Sequence, residues 1–143
     1  MMPLQNTATR VAIKPQSLTA AGTASGWVDT LGFDEAAVDY ILDSVAATTS
    51  NAAALTLQEG ETTTAFTSIT GFVGDATDGF TIPASQTTPS VTRMNVDLRG
   101  RKRYLNVLVT TGDVAAIQCV VVTLGKAGDS TIARGKMAGV VDG

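Results

Sequence analysis

The densest group of charged side chains is Arg99-Gly100-Arg101-Lys102-Arg103, which sets four cations around one glycine. Guanidinium forks match carboxylates and phosphates bidentately. Such a cluster suits docking to an acidic protein surface, binding of nucleic acid, or simply a solvated turn. The whole chain carries a net charge of −3, which argues against general nucleic-acid binding and favours a protein partner. Arg10 and Trp27 complete the candidate contact residues. Arg10 opens a short alternating segment whose backbone edge could accept a neighbouring strand. Trp27, the only tryptophan, reads as a core or interface anchor.

Catalytic and metal-binding readings find little to stand on. There is no histidine, the commonest general base and metal ligand, so any base must be a carboxylate. Asp39 and Asp43 fall on the same face of one segment, where they read as a solvated strand face rather than a glycosidase pair. Asp75-x-x-Asp78-Gly79 faintly resembles a calcium loop, but Gln86 stands at the twelfth position, where a bidentate glutamate is needed. No phosphate-cradling glycine motif occurs. Cys119 is the only cysteine and lies in an apolar run, so it reads as a small buried hydrophobe. The expectation is a protein with no catalytic residues, no metal and no cofactor.

The elements that position these residues are short strands. Residues 10–14 alternate and end at Pro15, which suits an edge strand, and residues 16–26 read as a loop. Residues 37–45 place Val38, Tyr40 and Leu42 on one face; a helix starting at Asp34 is the alternative. Leu55 and Leu57 point inward from the next strand. Residues 66–73 read as a kinked strand or a wide turn and residues 80–82 as a short strand. Residues 91–98 and 103–110 alternate cleanly on either side of the cationic turn and read as an antiparallel hairpin. Residues 115–124 are almost wholly apolar, as expected of a central strand buried on both faces. About eight short strands without helical alternation indicate an all-β antiparallel sandwich.

Aromatics are only 5% of the chain, so the core must be aliphatic. Charged residues are 16%, below the roughly 25% usual for soluble domains, which suits a surface covered by neighbours. The organisation expected is an N-terminal arm (residues 1–9), one β-sandwich domain (residues 10–125) and a flexible C-terminal tail (residues 126–143). No apolar run reaches the length of a membrane-spanning helix, and the start lacks the pattern of a signal peptide.

Three segments carry a family resemblance: Leu55-x-Leu57-Gln58-Glu59, Phe66-x-x-Ile69-x-Gly71-Phe72, and Val96-Asp97-Leu98-Arg99-Gly100-Arg101-Lys102-Arg103-Tyr104-Leu105. Together they resemble small structural proteins of tailed bacteriophages, in particular the capsid cement or decoration proteins of short-tailed phages. The resemblance covers roughly residues 27–125 and rests on packing and turn patterns. It implies a jelly-roll-like sandwich, made in the host cytoplasm, on the exterior of the virion capsid. There it would bridge major capsid protein subunits as a homodimer, or else a trimer, with no membrane or direct nucleic-acid contact. The alternative is a receptor- or glycan-binding module of a phage tail or fibre.

Overall fold

The computed structural model describes residues 7–43, 52–82, 88–112 and 114–127. Among these residues eight strands form: β1 (Ala8–Leu18), β2 (Thr23–Asp29), β3 (Phe33–Leu42), β4 (Ala52–Gly60), β5 (Thr67–Val73), β6 (Ser90–Asp97), β7 (Tyr104–Thr111) and β8 (Ala116–Ala127). They make two antiparallel four-stranded sheets, ordered β1-β8-β3-β6 and β2-β7-β4-β5. This is the strand order of an eight-stranded jelly roll. We call them the first and second sheet.

Each sheet turns one side-chain row inward, as a period of two requires. Val38, Tyr40, Leu42, Met94, Val96, Val120, Val122 and Leu124 come from the first sheet, and Leu55, Leu57, Ile69, Leu105, Val107 and Val109 from the second; all are buried. The core is aliphatic, as the composition demands, with Phe33 and Tyr40 as its buried aromatics. Tyr40 Oη donates to Gln118 Oε1 at 2.6 Å inside the core. Burial pushes the Tyr40 hydroxyl well above the ordinary phenol range.

Several expectations need correction. β1 is an edge strand, but it runs through Pro15, accommodated where the register with β8 shifts between Ile13 and Gln16. Residues 16–26 are not one loop: the end of β1 and the start of β2 occupy most of them. The two strands come very close at Gly26, where an added Cβ would lie 1.7 Å from the Ala12 carbonyl oxygen. No helix starts at Asp34; β3 already runs from Phe33. Residues 80–82 form no strand, only an isolated bridge from Phe80 to Gly74. The sandwich reaches from Ala8 to Ala127, so it takes in the end of the expected arm and the start of the expected tail. Residues 1–6 of the expected arm and 128–143 of the expected tail lie outside the described residues.

The largest correction concerns the cationic turn. β6 and β7 are not a hairpin: β6 pairs with β3 in the first sheet, and β7 pairs with β2 and β4 in the second. The turn is therefore an arch that carries the chain from one sheet to the other. Arg101 N donates to Leu98 O at 3.0 Å, and Gly100 has φ +79° at the third position of the turn. A turn with a positive φ there is of type II, whose twist splays the flanking strands instead of pairing them.

Candidate functional site

The arch brings its four cations to one end of the sandwich, where three different strands supply carboxylates. Arg99 forms a fork with Asp97 of β6, at 3.0 Å from Nε and 2.8 Å from Nη2. Arg101 lies 3.5 Å from Glu59 of β4, and the same carboxylate accepts the Lys102 backbone N–H at 3.2 Å. Arg103 forms a second fork with Asp29 of β2, at 3.1 and 2.9 Å. The cations therefore do not crowd an uncompensated turn; the fold balances three of them. Lys102 has no side-chain carboxylate partner among the described residues. Contact with Arg99 holds the Asp97 carboxyl well below its usual range, at about 2.

Next to the arch, Trp27 and Tyr104 meet edge to face, with ring centroids 5.5 Å apart and planes at 84°. The Arg103 guanidinium lies over the Tyr104 ring, 5.1 Å from its centroid. Trp27 is 47% exposed, so it is not a core residue. It sits on the outward row of the second sheet, beside an otherwise polar ladder that includes the Asn106–Gln58 hydrogen bond at 2.8 Å. Trp27, Tyr104 and Arg103 thus form one ridge. Arg10 does not join it. Arg10 lies on β1, across the first sheet from β6, in the row Arg10–Val122–Val38–Met94.

The carboxylates and the aspartate turn take structural positions. Asp39 is buried and receives a bidentate contact from Arg93 at 2.6 and 2.8 Å, while Asp43 follows the end of β3. Asp75 Oδ1 accepts the Ile82 N–H at 2.9 Å, which pins the turn that faintly resembled a calcium loop. No group of three or more metal-ligating side chains occurs among the described residues.

Sequence reading missed a second surface. β8 is central in its sheet but buried on one face only. Val120, Val122 and Leu124 point inward, while Ile117, Cys119 and Val121 point outward with Val11 of β1 and Ile41 and Val91 on the far side. Ile117 is 53% exposed, Val11 58% and Val91 60%. The result is an apolar band that runs diagonally across the four strands of the first sheet's outer face, from Val11 to Val91, beside the Asp39–Arg93 ion pair. An apolar run that alternates inward and outward cannot be told from one buried on both faces by composition alone. At the arch end of the same face lies a depression of about 460 Å³, bordered by Glu35, Asn95, Asp97, Thr123 and Gly125.

No protein-family model matches the sequence, and no curated protein matches it. Solved structures do. The PBSX exported protein XepA aligns over 90% of this chain with a TM-score of 0.58 and 16% identity. The infectious bursal disease virus VP2 subviral particle aligns over 89% with a TM-score of 0.51 and 10% identity. This chain spans 40% of the length of XepA and 34% of that of VP2. The likeness is one of fold: an antiparallel jelly-roll sandwich found, among other places, in a viral particle protein.

Proposed function

We propose that this chain is a structural virion protein that binds the outside of a phage capsid by surface contact alone. It bridges neighbouring major capsid subunits and so stabilises the DNA-filled head, without catalysis or a cofactor. The observation that carries this reading is the outer face of the first sheet. An apolar band that no other described residue covers marks an interaction surface on a protein of this size. The jelly roll is a fold that capsid proteins use repeatedly, which adds support at the level of analogy. The arch residues Arg99, Arg101, Lys102 and Arg103, at the end of the sandwich, are the polar contacts proposed beside it, while Trp27 faces outward from the opposite sheet. Each contact can be weak, because bridging between many copies multiplies affinity through effective concentration.

The test is a binding assay of the purified protein on expanded phage heads that lack it, with copy number read by mass. Saturation at a fixed ratio to the major capsid protein is expected, and Val11→Asp with Ile117→Asp should weaken it while leaving the fold intact. Absence of binding to heads would overturn the reading. A second reading, a receptor- or glycan-binding module of a tail or fibre, is favoured by one observation, the exposed Trp27 indole braced against Tyr104. It predicts that a carbohydrate screen yields a ligand that changes Trp27 fluorescence.

A further inference from the structure

β6 ends the first sheet, and its backbone pairs only with β3 among the described residues. Its eight residues keep an unbroken register from Ser90 to Asp97. The other sheet edges are blunted. β1 carries Pro15 and two register shifts, β2 lies against β1 at Gly26, and β5 has a register shift against β4 and a positive φ at Gly71. An unblunted edge presents a row of donors and acceptors ready to pair with another strand. The phase of that row is fixed. Leu98 N donates to Asp34 O at 2.8 Å, so alternate residues Val96, Met94, Thr92 and Ser90 spend their backbone groups on β3. Val91, Arg93, Asn95 and Asp97 aim theirs away from the sheet.

We propose that β6 is the interface of a homodimer, in which two copies pair antiparallel about a two-fold axis at Asn95 to make one eight-stranded sheet. Charge selects this register. With the axis at Asn95, Arg93 stands opposite the partner's Asp97, and the symmetry makes that pair twice. Arg93 then lies between Asp39 of its own copy and the partner's Asp97. Across from Asp97 on β3 stands Glu35, and Arg99 forks onto Asp97 within each copy. An axis at Arg93 would set two arginines face to face. An axis at Met94 would set Val91 against the partner's Asp97 and leave Arg93 facing an amide. On the inner face, the chosen register puts Met94 beside the partner's Val96, which extends the aliphatic core. The proposal does not depend on capsid attachment.

Analytical ultracentrifugation of the full chain at micromolar concentration tests it. The wild type is expected to sediment as a dimer. Asn95→Lys places two ammonium groups at the axis, and Asn95→Pro removes the outward N–H without touching the bonds to β3. Both are expected to be monomeric with unchanged circular dichroism; should the proline variant not fold, the lysine variant alone decides. In a Cys119→Ala background, Asn95→Cys should form a disulfide-linked dimer, because directly hydrogen-bonded residues have Cα atoms about 5.5 Å apart. A wild type that is monomeric or trimeric, or a dimer that survives Asn95→Lys, would overturn the proposal.

Discussion

At the scale of single residues, the fold places charges more economically than their spacing suggests. Arg99, Arg101 and Arg103 each meet a carboxylate from a different strand, so a cluster read as repulsive is internally balanced. The arginines were legible in the sequence. Their partners were not, because Asp29 and Glu59 lie far away along the chain and only topology brings them in. Asp97 is the local member of this set, and its titration can be followed directly. Its carboxyl moves from the ordinary 3.8 down to about 2, so its favourable contact is present at neutral pH. That contribution is lost as pH falls from about 4 through about 2. The pair is exposed, so salt should move the midpoint back up. A carbon-detected carboxyl titration with a midpoint near 3.8 at low salt would contradict the pairing. The opposite case is buried. Gln118 Nε2 has no hydrogen-bond partner among the described residues, while Gln118 Oε1 accepts from Tyr40. Tyr40→Phe leaves both ends of the amide unpaired and is expected to cost about 1–3 kcal/mol. Adding Gln118→Leu removes the orphaned groups and should recover most of that loss in urea denaturation. If the double variant is no more stable than Tyr40→Phe alone, the amide is not the source of the cost.

At the scale of elements, alternation revealed most strands and little of their pairing. Val38, Tyr40 and Leu42, or Met94, Val96 and Leu98, lie inward as a two-residue period dictates. The pairing of β6 with β7 failed because a short loop between two alternating segments fits a hairpin and an arch equally well. The deciding detail was the position of Gly100, third in the turn, where a positive φ splays the strands. The strand at residues 23–29 escaped notice because Thr23, Ser25 and Gly26 look like loop residues; it forms by pairing to β7 in full register. The ridge of Trp27, Tyr104 and Arg103 was half legible, since Tyr104 gained its place only from that pairing. The arch itself rests on Glu59, which is mostly buried and holds both Arg101 and the Lys102 N–H. Glu59→Ala is expected to destabilise the protein by about 1–3 kcal/mol, and Glu59→Gln by less, because the amide keeps an acceptor for the backbone. Equal denaturation midpoints for the wild type and Glu59→Ala would show that the arch holds without it.

At the scale of the whole molecule, the two outer faces differ in kind. The first sheet shows an apolar band and the second a hydrogen-bonded polar ladder flanked by one aromatic ridge. The proposed capsid attachment calls for such asymmetry, since only one face can meet the shell. The strand order has a further consequence, one of time. Apart from β4 and β5, no two consecutive strands pair; β1, the first made, pairs with β8, the last, with Ala8 opposite Leu124. The second sheet cannot close before β7 is made nor the first before β8, and loop closure must be met before the distant pairings reward it. Refolding after dilution from urea is therefore expected on the millisecond-to-second scale typical of non-local β topologies. The same arrangement sets the beginning of β1 beside the end of β8. Joining those ends through a short linker and opening the chain at the arch would turn the most distant pairing into a neighbouring one. Such a permuted chain should keep the sandwich and reach it faster, and one that reached it no faster would place the meeting of β1 with β8 after the slowest step.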